Sequence, residues 1–428
     1  MSTSEVPTLG AATKVWFRVG LIGFGGPAGQ IAILHQEVVV QRRWVSEDRF
    51  LHALNFCTLL PGPEAQQLAT YLGWLLHGTR GALIAGTLFV LPGVAILLGL
   101  SALYATVGTV GPVAAVFAGI KPAVLAIVVE ALRRIGGRAL KSRAHWAIAA
   151  LAFAGLYGFA VPFPVVVLGA GLLGWLMPQG AQVAGPEPGQ LPSPARSLRV
   201  LATGLLVWWS PIVLIAGALG SHHVFVVLGV FFSKAAVVTF GGAYSVLAYV
   251  GQEAVSRYGW LSPAEMLDGL ALAETTPGPL ILVLQFVGFL AGFRLGAPVA
   301  GLIGGLAGSL ITVWTTFVPS VLLVLLGAPY VERLRHHRPL SGALSAVTAA
   351  VVGVIANLAL WFAIHVVFGE VRRINAGPFH ASVPVWSTVD PFGLGVGVVA
   401  MIAMLRFRVG MVTVLVVAAG AGLLRWLL

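Results

Sequence analysis

Three cations stand where their neighbours offer little water: Arg18, Lys121 and Lys234 each lie inside a long apolar run. A cation at bilayer depth costs about 3 kcal/mol on insertion scales, so it faces a partner or a water-filled cavity. Near two of them the chain carries helix breakers. Gly23-Phe24-Gly25-Gly26-Pro27 and Phe240-Gly241-Gly242 place glycines in mid-run, and Pro61-Gly62-Pro63 and Pro277-Gly278-Pro279 follow downstream. Such clusters are poor material for a continuous helix. An interrupted helix exposes backbone N–H groups, and the next half-helix begins with partial positive charge, which suits an anion. Hydroxyls and amides gather beside these breaks, among them Gln67 on one side and Thr275, Thr276 and Gln285 on the other, with Asp268 nearby. They can donate hydrogen bonds without adding fixed charge. Glu64, Gln67 and Tyr71 fall on one helical face after the first Pro-Gly-Pro. Glu64 and Glu274 are candidates for a proton-carrying carboxylate, since poor hydration favours the neutral form. Each could equally neutralise a base or cap a half-helix. Arg18, near a helix start, could snorkel to the interface. Singly, Gly-Gly also serves close helix packing and Pro-Gly-Pro a kink.

The breaks come in matched pairs, and that favours a site. Adding 216 positions carries Phe24-Gly25-Gly26 to Phe240-Gly241-Gly242, Gln36-Glu37 to Gln252-Glu253, Trp44 to Trp260, Ser46 to Ser262, and Pro61-Gly62-Pro63 to Pro277-Gly278-Pro279. Arg18 lands on Lys234. Further along, an offset of 227 carries Pro92 to Pro319, Lys121 to Thr348 and Glu130 to Asn357. The chain is built from two related halves, the arrangement by which many transporters form one site between repeats. Glu37 and Glu253 precede the tryptophan segments and are expected to pair with Arg42, Arg43 or Arg257.

The elements that must hold these residues are membrane helices. Of 428 residues 58% are hydrophobic and 9% charged, with mean hydropathy +0.96. A soluble domain of that composition would expose aggregating patches. The pattern predicts thirteen helices, near 14–40, 50–76, 80–106, 111–132, 144–160, 162–177, 198–218, 222–250, 266–292, 296–327, 340–368, 391–405 and 407–427. The expected fold is an all-α polytopic membrane protein of two homologous six-helix units with broken helices. Residues 1–177 form the first repeat, 178–197 a Pro/Gly-rich cytoplasmic linker, 198–220 a connecting helix and 221–428 the second repeat. One unpaired helix between two six-helix units turns the second upside down. With a cytoplasmic N-terminus the loop cations divide 14 inside to 8 outside, in keeping with the positive-inside rule. The net charge of +11 thus reads as topology rather than nucleic-acid binding. The start of the chain lacks a cationic cluster and cleavage site and predicts a retained helix. Cys57 is expected to be a packing residue.

Phe24-Gly25-Gly26-Pro27 paired with Leu60-Pro61-Gly62-Pro63-Glu64-Ala65-Gln66-Gln67-Leu68-Ala69 resembles the chromate ion transporters. So does the second copy, in Phe240-Gly241-Gly242-Ala243-Tyr244, Tyr258-Gly259-Trp260-Leu261 and Thr275-Thr276-Pro277-Gly278-Pro279. The likeness spans nearly the whole chain and fits the long, two-unit form. It implies export of chromate, and of sulfate-like oxyanions, from the bacterial cytoplasm across the inner membrane. Ala248 departs from a proline expected there. Ala243 and Leu280 replace Pro27 and Glu64, so the halves should contribute unequally.

The expected partners are a tetrahedral oxyanion and the lipid bilayer, with a homodimer as the candidate assembly, no nucleic acid, no cofactor and no metal. An interior-negative potential of 100 mV favours outward movement of a dianion by about 4.6 kcal/mol, so uniport suffices, with proton coupling as the other route. An exporter of another small solute such as an amino acid is the alternative. An enzyme is not expected, because no His-Glu-x-x-His, clustered Asp or Cys/His ligand motif is present, nor a Walker motif.

Overall fold

The computed structural model describes residues 7–24, 26–177, 193–238, 240, 242–330 and 338–428. Sixteen α-helices occur among them: α1 (Leu9–Ile22), α2 (Gly26–His35), α3 (Glu47–Cys57), α4 (Glu64–Val107), α5 (Gly111–Ala139), α6 (Arg143–Phe159), α7 (Phe163–Leu176), α8 (Pro194–Leu219), α9 (Val224–Val238), α10 (Ala243–Gln252), α11 (Pro263–Thr275), α12 (Val283–Leu295), α13 (Leu302–Gly327), α14 (Arg338–Val367), α15 (Pro391–Leu405) and α16 (Met411–Leu427). Among the described residues, five segments are long and apolar enough to cross a membrane: α4, α5, α8, Leu302–Tyr330 and Ser341–Val367. Five shorter apolar helical segments, from Phe163–Leu176 to Met411–Leu427, accompany them.

Most differences from the sequence expectation fall at the breakers. The expected helix 14–40 divides into α1 and α2, 222–250 into α9 and α10, and 266–292 into α11, a short 3-10 turn (Leu280–Leu282) and α12. The segment 50–76 breaks between Cys57 and Glu64. Its second part and the next expected segment both lie in α4, with a non-helical kink at His77 and Gly78, where φ is +59°, at the gap expected after residue 76. Residues 194–197 are helical rather than linker; residues 178–192 lie outside the described residues. Beside the helices there is, among the described residues, one hairpin that the sequence does not announce. Val371–Ala376 and Phe379–Pro384 pair as an antiparallel hairpin from Val371↔Pro384 to Ala376↔Phe379. Its turn is Gly377-Pro378, with Gly377 at φ +61°.

The duplication is written in the backbone. Gln36–Gln41 and Glu253–Arg257 are both π-helical turns. Each closes alike, Trp44 N–H donating to the Val38 carbonyl at 2.8 Å and Trp260 N–H to that of Ala254 at 2.9 Å. Ser46 Oγ then accepts from Arg49 N–H at 3.4 Å, and Ser262 Oγ from Glu265 N–H at 3.2 Å, each satisfying an orphan donor of the following helix. Gly62 and Gly278 share a left-handed φ of +127° and +103°, and Gly26 and Gly242 one of +67° and +94°. Only glycine adopts such angles without strain. That is why both landmarks contain it at these positions.

The described helices group into two compact units, and each takes segments from both sequence halves. The first comprises Met1–Ala102, Gly180–Ala243 and Ala273–Arg338; the second comprises Leu103–Gln179, Tyr244–Leu272 and Pro339–Leu428. The core of the first holds Trp16, Phe50, Phe56, Phe89, Phe232, Phe286 and Phe289. Its α12 and α13 meet through Gly288, Gly292, Gly304 and Gly308, whose missing side chains let the backbones touch. There α8 buries only Trp208 and Ile212 and turns Leu198, Leu206, Val213 and Leu214 outward, a face suited to lipid. In the second unit α5 packs on α16 at Gly119 and Gly422, and Tyr157 Oη on α6 donates to the Ser382 carbonyl of the hairpin at 2.9 Å.

Candidate functional site

In the first unit the breaks of the two halves meet. Gly278 N–H donates to the Gly23 carbonyl at 3.0 Å. Gln30, fully buried on α2, donates through Nε2 to the same Gly23 carbonyl at 3.1 Å and also to the Gly278 carbonyl. A helix break leaves carbonyls without partners, and a buried amide supplies the donor. Gln67 does the same at the first Pro-Gly-Pro, its Nε2 donating to the Pro61 carbonyl at 2.7 Å. Gln285 Nε2 donates to the Val94 carbonyl at 2.9 Å. Because each Nε2 faces a carbonyl, the amide orientations are fixed by the network. The Oε1 atoms of Gln30, Gln67 and Gln285 are buried and have no partner among the described residues.

The packing of these breaks is crossed. Gly93 on α4 lies against Pro277 and Gly278, so close that a Cβ there would strike the Pro277 carbonyl. Ser320 on α13, the counterpart of Gly93 at the offset of 227, lies against Gly62. Ser320 Oγ also donates to Gln66 Oε1 at 2.8 Å, while Gln66 Nε2 donates to Thr70 Oγ1 at 3.2 Å. Each half thus presses its post-break helix onto the Pro-Gly-Pro of the other.

The remaining expected residues are distributed more widely. Pro61, Gly62 and Pro63 join α3 to α4, and Glu64 opens α4, half-buried. Glu274 is 5% exposed, and Thr276 is buried with Oγ1 donating to the Ala273 carbonyl at 3.0 Å, whereas Thr275 is exposed. Phe24 is exposed and Phe240 half-buried; Gly25 and Gly241 lie outside the described residues. Lys234 is exposed on α9 and has no carboxylate partner among the described residues. Arg18 has an exposed side chain with Nε 3.9 Å from Glu37 Oε1. Glu37 is held by Arg42, and Glu253 by Arg257 at 3.2 Å, as the sequence led us to expect.

Lys121 is elsewhere, in the second unit, and it is engaged. Its Nζ lies 3.3 Å from Asp268 Oδ2, which also accepts from Tyr104 Oη at 2.7 Å. Asp268, expected beside the second break, therefore belongs to a different cluster. The sequence reading did not single out Gln30, Gly93, Ser320 or Tyr104. For Ser320 the signal was present, because it follows Pro319 as Gly93 follows Pro92. For Gln30 it was a lone amide in an apolar run.

The chromate transporter family model matches the chain twice, over residues 11–175 and 226–423. The chain is 34% identical to a chromate transport protein of Pseudomonas aeruginosa over 346 residues, 79% of this chain and 77% of the relative. It is 27% identical to a chromate transport protein of Cupriavidus metallidurans over 374 residues, 82% of each. No solved structure matches significantly.

Proposed function

The chain belongs to the chromate transporter family, and from that premise we propose that it is a secondary transporter exporting chromate from the cytoplasm. The observation that carries the reading is the double family match, one copy on each set of breaks. On this reading the protein is a multi-pass protein of the bacterial inner membrane, its two halves inverted relative to each other. The oxyanion site is formed at the breaks, by Phe24 and Gly26, Pro61-Gly62-Pro63, Phe240 and Gly242, and Thr275-Thr276-Pro277-Gly278-Pro279. Arg18 and Lys234 are its cations, and Lys121, in the second unit, is a separate cation for the oxyanion. The meeting of Gly23 and Gly278 supports one shared site rather than two. Gln67 has its amide N–H committed to Pro61, so its part is to hold the break open. Sulfate-like ions share the tetrahedral shape and charge that such a site recognises. Membrane potential, a proton gradient or both drive the export, with Glu64 and Glu274 as candidate carboxylates for proton coupling.

Chromate flux in proteoliposomes under imposed potential and pH gradients tests this, with sulfate, molybdate and amino acids as competitors. We expect efflux from the negative side, inhibited by oxyanions. Absence of oxyanion flux, or competition by amino acids alone, would refute the reading. Flux that ignores a pH gradient would exclude proton coupling through Glu64 and Glu274. Lys234→Gln should weaken apparent affinity about tenfold or more, the worth of one charged hydrogen bond. Unchanged affinity would demote Lys234 to a structural role.

A further inference from the structure

The second unit holds an ion pair, one partner half-buried and the other buried, that the anion-site reading leaves half explained. Lys121 sits in mid-helix on α5, followed by Pro122, and Asp268 in the middle of α11. Their side chains are unequally covered, Lys121 being 26% exposed and Asp268 3%. An ion could therefore approach the ammonium, whereas the carboxylate is shut away. Asp268 is also unequally partnered. Oδ2 is shared by Lys121 Nζ at 3.3 Å and Tyr104 Oη at 2.7 Å, while Oδ1 is buried with no partner among the described residues. Tyr104 is itself braced edge-on against Phe117 of α5, with ring centroids 5.1 Å apart. Besides Lys121 and Tyr104, the charge that Asp268 experiences is Glu265, one turn earlier on α11.

We propose that Asp268 is a built-in counter-anion that occupies Lys121 in the empty carrier, and that the substrate oxyanion displaces it, with one proton taken up on Asp268. This rests on the reading of the protein as an oxyanion carrier. A buried carboxylate stripped of its cation is strongly disfavoured. The displaced group therefore becomes neutral. Oδ1, the oxygen without a partner, takes the proton, and Oδ2 keeps the Tyr104 hydrogen bond as a carbonyl-type acceptor. Lys121 exchanges one anionic partner for another. When the oxyanion leaves, Asp268 gives up the proton and the pair re-forms. Neither partner is then left as an uncompensated buried charge at any stage.

The test is proton uptake on binding. Purified protein at pH 8 in weak buffer with an indicator dye is titrated with chromate, and flux is measured in parallel. The expected result is one proton taken up per chromate bound by the wild type, none by Asp268→Asn, and chromate affinity weakened at least tenfold in Lys121→Gln. Uptake that persists in Asp268→Asn places the proton elsewhere and overturns the proposal, as does wild-type affinity in Lys121→Gln. If Asp268→Asn does not fold, Asp268→Glu replaces it, and the pH midpoint of uptake must move; an unmoved midpoint overturns the proposal. Wild-type protein that transports chromate without proton uptake sinks this inference alone. Wild-type protein that neither binds nor transports an oxyanion sinks the transport reading beneath it.

Discussion

Gln30 shows how a single amide can decide whether a broken helix is tolerable. Its Nε2 holds the carbonyls of Gly23 and Gly278 together, and nothing else in the described residues satisfies the Gly278 carbonyl. Gln30→Leu should therefore destabilise by about 1–3 kcal/mol, the cost of a buried polar group left unpaired. Thermal unfolding in detergent would register this, and an unchanged midpoint would mean that water replaces the amide. Gly93→Ala forces a methyl into the Pro277 carbonyl and should cost about 1–3 kcal/mol as overpacking, with lost flux. At this scale the sequence was legible where residues break rules. Glycines and prolines in apolar runs announced the breaks. Residues that repair breaks look ordinary in a one-dimensional pattern, as Gln30 does in its apolar run, whereas Gln67 follows Pro63 by four residues. Lys121 was legible as a cation within an apolar run. Its partner was not, because Asp268 lies 147 positions away in the chain.

Among the elements, the duplicated turns make a local prediction. Ser262 caps α11, and its own N–H donates to Glu265 Oε2 at 2.7 Å in return. That reciprocal arrangement is a capping box, so Ser262→Ala should cost about 1 kcal/mol. Hydrogen exchange confined to the first turn of α11 would reveal it. The 371–384 hairpin was invisible to a reading tuned to apolar periodicity, because Arg372, Arg373, Asn375 and His380 interrupt its alternation and most of it is exposed. Only Gly377-Pro378 marked the turn. Gly377→Val places a branched residue at a φ of +61° and should strain the turn by about 1–3 kcal/mol, seen as faster proteolysis across the hairpin. Helix existence was legible nearly everywhere, since apolar length is a strong signal. Helix continuity was less so: the expected helix 222–250 divides into α9 and α10, although the expected gap after residue 76 does fall on the non-helical His77 and Gly78.

For the molecule as a whole, each compact unit draws on both sequence halves. The halves should consequently fail to fold separately. Cutting the chain between residues 183 and 184 and expressing the two pieces together should restore chromate resistance to a sensitive strain, while either piece alone should not. Resistance from one piece would contradict the shared-site reading. If a proton leaves with each chromate, net charge per turnover falls from two to one. The contribution of a 100 mV potential then drops from about 4.6 to about 2.3 kcal/mol, and an outward-acid pH gradient should slow export. The interleaving of halves could not be read from sequence, because an offset reports kinship between segments and is silent about which segments pack together.

The crossed contacts of Gly93 on Gly278 and of Ser320 on Gly62 have a historical meaning. A single-copy ancestor, lacking an attached partner, would have needed a second molecule of itself to supply the helix that covers its Pro-Gly-Pro turn, making the contact twice and identically. Joining the two genes removed that obligation of sameness. One copy could keep glycine where backbone meets backbone, and the other could adopt serine and bind Gln66. Divergence at either position is thereafter constrained by the turn in the opposite copy, so substitutions at 93 and 278, and at 320 and 62, should be inherited as pairs.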